Sequence, residues 1–144
     1  MAVGSAGGHW QQLLELRDAY VAEDVHYVTT LKGLPEQFNL TNYTIVRDCN
    51  RDQKLDMAIC AFGLLITALR KRPNVVVTTG ALPGLLAIMI GKVIGARTIW
   101  IDSIANAEEL SLSGQIASRH ADLCLSQWAH VAKEGKVQFE GSIL

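Results

Sequence analysis

The sequence predicts an α/β domain, a doubly wound parallel sheet of Rossmann type, and three observations carry that prediction. Short apolar, β-branched runs alternate with segments of helical periodicity along the whole chain, the pattern of strands joined by helical crossovers. The first run, Met1 to Val3, opens through Gly4-Ser5-Ala6-Gly7-Gly8-His9 directly into a helix, the strand, glycine loop and helix junction where such sheets hold ligands. The run Asn74-Val75-Val76-Val77-Thr78-Thr79 is apolar without alternation, as in a strand covered by helices on both faces. With 144 residues, of which 49% are hydrophobic and 19% charged, residues 1–144 make one domain with a real core.

Each element follows from local pattern. Leu13, Leu14, Leu16, Ala19 and Tyr20 give one apolar face, so Gln11 to Ala22 reads as a helix packed on the sheet. Val25 to Thr30 is β-branched and aromatic, a second strand. Gly33, Pro35 and the polar residues to Asn42 make a loop, and Tyr43 to Val46 a short third strand. Leu55, Ile59, Phe62, Ile66 and Leu69 recur at helical spacing to about Arg70. Met57, Ala61, Leu64, Leu65 and Ala68 make the other side of that helix apolar too, so it must be buried or meet lipid. The apolar run is shorter than the roughly 20 residues that span a bilayer. Arg70-Lys71-Arg72 closes it, either as compensation for the helix C-terminus or as a basic edge suited to an anionic membrane surface.

After the fourth strand, Gly80-Ala81-Leu82 is an exit loop, Pro83 suits a first helical turn, and Gly84 to Ile94 is a helix apolar on every side except Lys92. Arg97 to Ile101 is the fifth strand, Asp102 to Asn106 its exit loop, and Ala107 to about Arg119 a loop leading into a helix. Ala121 to Ser126 is the sixth strand, and a short helix and then Val137 to Phe139 finish the chain. With the common strand order 3-2-1-4-5-6, the glycine loop faces Thr78, Thr79 and Gly80 across the switch point, with the Asp102 to Asn106 loop beside them.

Composition and motif spacing remove several function classes. A net charge of −1 and a pI near 6.4 argue against a nucleic-acid partner. Cys49, Cys60 and Cys124 are widely spaced in apolar surroundings, which reads as reduced, buried thiols with no metal spacing. Asn39-Leu40-Thr41 and Asn42-Tyr43-Thr44 match the glycosylation triplet, but no secretory signal accompanies them. A dinucleotide site needs G-x-G-x-x-G and an acidic residue ending the second strand; the chain has Gly4-Ser5-Ala6-Gly7-Gly8 and Thr29-Thr30-Leu31-Lys32. The phosphate-loop lysine, the nucleophile elbow and the HExxH pattern are missing as well. No cofactor and no metal are expected. Gly7 and Gly8 still let a ligand approach the backbone, and the N–H groups and dipole of the following helix suit a phosphate or diphosphate.

Five segments, in order, carry a resemblance: GSAGGH at the N-terminus, TTGALPG after the fourth strand, WIDSIANAEELSLSG after the fifth, ADLCLSQW at the sixth, and the closing FEGSIL. Together they resemble the membrane-associated, acceptor-side subunit of the split UDP-N-acetylglucosamine transferase of asparagine-linked glycosylation. Bacterial members of that family act in capsule and exopolysaccharide assembly, and MurG is the fused relative. The resemblance implies the N-terminal half of a GT-B glycosyltransferase. A separate catalytic chain would hold most of the UDP-sugar pocket, so activity would need both chains. It further implies a lipid-diphosphate-linked saccharide as acceptor and N-acetylglucosamine, or else glucuronic acid or galactose, as the sugar transferred. It places the protein peripherally on the cytoplasmic, inner face of a membrane. With only Met1 to Val3 before the motif, surface helices rather than a preceding anchor would make the membrane contact.

Residue by residue, the family's glycine motif falls on Gly4, Gly7, Gly8 and His9, with Ser5 between them, and would hold the acceptor diphosphate. Thr79 and Gly80 face it. The family's Glu-Ser loop falls on Asp102 and Ser103, so this chain has the shorter acid. Transfer to a hydroxyl with inversion needs a base, and His9 and Asp102 are the candidates; His9 as a phosphate ligand or helix cap is the competing reading. Ser103 and Asn106 suit hydrogen bonds to an acceptor sugar or, equally, loop capping, and Trp128 suits stacking on a sugar, a partner chain or the core. Glu108 and Glu109 read as solvated. Two other readings stay open: a stand-alone Rossmann-type nucleotide enzyme, and a scaffold without chemistry.

Overall fold

The computed structural model describes residues 1–132 and 136–143. Six parallel strands form one sheet in the order β3-β2-β1-β4-β5-β6. They are β1 (Ala2–Val3), β2 (Tyr27–Thr29), β3 (Tyr43–Ile45), β4 (Val75–Thr78), β5 (Arg97–Ile101) and β6 (Leu123–Leu125). The helices between them are α1 (Gly8–Glu15), α2 (Leu34–Gln37), α3 (Lys54–Lys71), α4 (Ala81–Val93) and α5 (Leu112–Ala117). β1 pairs with both β2 and β4, so the order reverses at β1 and the switch point lies beyond its C-terminal end. Gln138 adds an isolated parallel bridge on β6 through Leu125.

The core divides by face. Under α3 and α4, Val28, Val46, Cys60, Leu64, Val76 and Ala87 pack together; toward α5 the cluster continues with Leu85, Ile88, Trp100 and Cys124. α4 can lie this close because it carries glycine where it touches the sheet. A Cβ on Gly84 would stand 2.2 Å from Thr78 Oγ1, and one on Gly91 2.9 Å from Thr98 Cγ2. On the other face α1 covers β1 and β2 with Trp10, Leu13 and Leu14, and Trp10 meets Tyr27 edge-on at 6.0 Å between ring centres. Over β4, β5 and β6 that second face is open among the described residues. Val77, Ile99, Ile101, Leu123 and Leu125 line a trough of about 600 Å³.

Several local expectations change. α1 is an α-helix only to Glu15 and then tightens into a 3-10 turn over Leu16–Tyr20, with the Leu13 carbonyl taken by the Tyr20 hydroxyl at 2.8 Å. The loop around Pro35 contains the short helix α2, which proline favours in its first turn and which follows Gly33 in the left-handed region. α4 starts at Ala81, three residues before the expected Gly84, because Gly80 makes the turn by itself. Of the short helix expected after Trp128, residues 129–132 show a turn, and residues 133–135 lie outside the described residues.

The two apolar helices resolve into sides. α3 sends Cys60, Leu64 and Ala68 into the core and leaves Leu55, Ile59, Phe62 and Leu69 in solvent, Leu55 and Phe62 at 75% and 64% exposure. On α4, Leu85, Ile88 and Gly91 are buried, whereas Met89 and Val93 are exposed. Among the described residues no helix is long and apolar enough to cross a membrane.

Candidate functional site

The ends of β1 and β4 bring two helix N-termini together. α1 begins at Gly8 with Gly7 as its N-cap, and Gly7 has φ +78°, a conformation that favours glycine. α4 begins at Ala81 with Gly80 as its N-cap at φ +125°, and Ala81 itself has φ +61°. Neither helix has a side-chain cap or an acidic residue in its first turn. The positive dipole ends of both helices, and the first-turn N–H groups of α1, are therefore available to an anion; at α4 the Gly80 N–H is taken by the Thr78 hydroxyl at 3.3 Å and Pro83 has no N–H to offer.

His9 ties these two ends to each other. Its Nδ1 lies 2.8 Å from the Thr79 carbonyl oxygen, and the Thr79 hydroxyl donates back to the His9 carbonyl at 2.6 Å. A carbonyl only accepts, so Nδ1 carries a proton, and the tautomer this selects has its lone pair on Nε2. The ring packs against Gly80 so closely that a Cβ there would stand 2.7 Å from Cε1. Of the remaining motif residues, Gly4 is buried at the end of β1 and donates to Val28 O, and Ser5 is buried beside it. Gly7 and Gly8 are exposed. The Thr30 hydroxyl, at the end of β2, accepts from Ala6 N at 3.2 Å and holds the loop from its other side.

The loop after β5 is built around Asp102, which is 2% exposed. Its carboxylate accepts from Trp100 Nε1 at 3.0 Å, Asn106 Nδ2 at 3.1 Å, Ser111 N at 2.9 Å and Ser111 Oγ at 2.7 Å. Those four donors occupy the oxygens, and Gly114 closes over them, since a Cβ there would be 2.5 Å from Oδ1. Of the two base candidates, only His9 has an unclaimed lone pair. The Ser103 hydroxyl accepts from Gln12 Nε2 and Ala105 N, and Asn106 is turned inward on Asp102. Trp128 Nε1 donates to Ile104 O at 2.8 Å, so the indole fastens this loop to the end of β6, and its ring tilts against His130. Glu108 and Glu109 are exposed. Among the described residues no group of three metal-ligating side chains is gathered here or elsewhere.

Two residues that the sequence reading passed over join the loops. Gln12 and Gln127 are buried amides whose side chains meet at 2.6 Å beneath the glycine loop. The available signal was placement: Gln12 stands one turn after Gly8 and next to Leu13 and Leu14, and Gln127 directly follows the strand segment ending at Ser126.

A doubly wound sheet with paired, uncapped helix ends at its switch point defines a Rossmann-like domain of the kind that makes up one lobe of GT-B enzymes. The solved structures agree on the fold. MurG from Acinetobacter baumannii matches with a TM-score of 0.77 at 11% identity, over 96% of this chain and 45% of that one. UDP-N-acetylglucosamine 2-epimerase from Rickettsia bellii matches at 0.75 and 11%, over 99% and 44%. The epimerase from Methanocaldococcus jannaschii matches at 0.73 and 13%, over 98% and 45%. The chain thus spans less than half the length of these proteins. No curated protein matches it in sequence. The family described as "Oligosaccharide biosynthesis protein Alg14 like" matches residues 53–143, and the chain belongs to that family. The matched span runs from the start of α3 through β6 and on to Ile143 in the C-terminal tail, while the glycine loop and His9 precede it.

Proposed function

We propose that this chain, as one domain over residues 1–144, is the acceptor-binding and membrane-recruiting subunit of a two-component glycosyltransferase. The partner chain supplies most of the UDP-sugar site. The acceptor is a saccharide carried on a lipid diphosphate, with N-acetylglucosamine, glucuronic acid or galactose as the sugar transferred. The observation that carries this reading is the junction of two uncapped helix N-termini bridged by His9, on a domain that corresponds to less than half of MurG.

In this reading the acceptor diphosphate rests on the N–H groups of the glycine loop, where the helix dipoles favour it, while the Thr79–Gly80 turn, whose Gly80 N–H is taken by the Thr78 hydroxyl at 3.3 Å, holds His9 beside it. The acceptor hydroxyl lies against His9 Nε2. As its oxygen bonds to the anomeric carbon, its proton passes to Nε2, and the bond from that carbon to UDP breaks with the electron pair leaving on the diphosphate. The Thr79 carbonyl then stabilises the imidazolium through Nδ1–H. Asp102 is a positioning residue here: it shapes the loop that carries Ser103 and Asn106 rather than taking a proton. The exposed face of α3 and the neighbouring Val93, with Arg70, Lys71 and Arg72 at the end of the helix, form the membrane-facing surface on the inner, cytoplasmic side. The open trough over β4–β6 is further apolar surface available to the partner chain.

The test is transfer of label from UDP-N-acetylglucosamine, with other UDP-sugars in parallel, to native membrane lipid. It is run by this chain alone and with a co-expressed donor-binding subunit. The expected result is transfer only by the pair, and none by a pair carrying His9→Ala. Transfer by this chain alone would assign it a donor site of its own, and no transfer by either preparation would favour a scaffold.

A further inference from the structure

We infer that Gln12 and Gln127 are positioning residues that set the glycine loop against the loop after β5 and couple both to the docked C-terminal tail. A buried amide is costly unless its hydrogen bonds are made, and here they are. Gln12 Nε2 donates to Gly8 O at 3.3 Å and to Ser103 Oγ at 3.1 Å, while Gln12 Oε1 accepts from Ile104 N at 3.1 Å and from Gln127 Nε2 at 2.6 Å. Gln127 Nε2 also donates to Asp102 O at 3.0 Å, and Gln127 Oε1 accepts from Ile143 N at 3.1 Å.

The order of donors and acceptors is forced. Asp102 O can only accept, which fixes the NH₂ of Gln127 toward it; the Ile104 and Ile143 N–H groups can only donate, which fixes both amide oxygens. Flipping either amide would set N–H against N–H. One directed relay therefore runs from the tail N–H at Ile143 through Gln127 and Gln12 to Gly8, whose own N–H opens α1. A leucine at position 12 would extend the apolar face of α1 with no need of partners. The amide instead gives the helix one register against the loops it touches, because a satisfied polar network tolerates few alternative geometries. Without the Ile143 N–H, Gln127 Oε1 loses that donor. The amide then relaxes, and the restraint on Gly8 loosens with it.

The relay itself is tested without activity, by backbone amide resonances of the 144-residue chain. Ile143→Pro removes the donating N–H at the tail and nothing in the core; Ile143→Ala changes the side chain and keeps the N–H. The expected result is that Ile143→Pro moves the Gly7, Gly8, His9 and Ile104 resonances and Ile143→Ala leaves them in place. In a Gln127→Leu background, Ile143→Pro should add nothing. Unmoved glycine-loop resonances in Ile143→Pro, or equal shifts in both tail variants, would overturn the inference. The functional consequence rests on the acceptor-site reading above. In the reconstituted pair Ile143→Pro and Gln12→Glu should raise the acceptor KM by about tenfold and change kcat by less than about twofold, the pattern of lost ground-state positioning. Coupled resonances with an unchanged KM would reject the acceptor-site reading and leave the relay standing.

Discussion

Replacing Gly80 by alanine tests the geometry on which the proposed site depends. Gly80 has φ +125° and ψ −163°, a region that residues with a Cβ rarely enter, and holding alanine there costs about 1–3 kcal/mol. The new Cβ would also stand 2.7 Å from His9 Cε1 and 2.8 Å from Nδ1, well inside ordinary contact distance. The ring has to move, and its 2.8 Å hydrogen bond to Thr79 O is lost, a further cost of about 1 kcal/mol. The expected loss is about 2–4 kcal/mol, measured as the shift in urea denaturation midpoint of the purified chain multiplied by the m-value. In a His9→Ala background there is no ring to displace, so only the backbone strain remains. Gly80→Ala should then cost about 1 kcal/mol less than in the wild type. A loss below about 0.5 kcal/mol in the wild-type background, or the same loss in both, would show that the ring does not pack on Gly80. On the proposed role of His9, transfer by the reconstituted pair should fall with Gly80→Ala as it should with His9→Ala, because displacing a catalytic group by about 1 Å costs on the order of a hundredfold in rate.

The exposed side of α3 separates membrane recruitment from folding: Phe62→Glu and Leu69→Glu should reduce co-flotation with anionic vesicles while leaving the denaturation midpoint nearly unchanged. Normal flotation of both variants would refute recruitment through this face. Asp122 gives a pH signature. Its carboxylate is held down to about 2 by the hydrogen-bonded Lys92 ammonium first, then by the Thr98 N–H and hydroxyl. The folded value lies below the ordinary 3.8, so the contribution is complete above pH 3.8 and is lost as pH falls through about 2. Both side chains of the pair are more than a third exposed, so screening keeps the contribution below about 1 kcal/mol. The stability gap between wild type and Asp122→Asn should therefore be small at neutral pH, narrow with salt, and close between pH 4 and 2. A gap that is constant over that range would exclude the ionised carboxylate as its source.

How much of this was legible depends on whether the signal was local. The strand order and the meeting of the glycine loop with Thr79 and Gly80 follow from short apolar runs, glycine positions and the handedness of crossovers, all written in consecutive residues. The sidedness of α3 was not, because Leu64 and Leu65 are equally apolar and only the placement of Val46, Cys60 and α4 decides which one is buried. Asp102 shows the same limit more sharply. In the sequence it is an acid on a loop at a switch point, which is where a base belongs. In the fold, Trp100, Asn106 and Ser111 converge on it from up to nine residues away and take its oxygens. The Gln12–Gln127 contact joins residues 115 apart, so no window along the chain contains it. A polar residue on an otherwise apolar helix face was the one visible trace, and its meaning came from what folding set beside it. On the proposed reading, the site combines two kinds of residue: glycines and a histidine that local pattern reveals, and buried amides and an acid whose hydrogen bonds hold the loops around them.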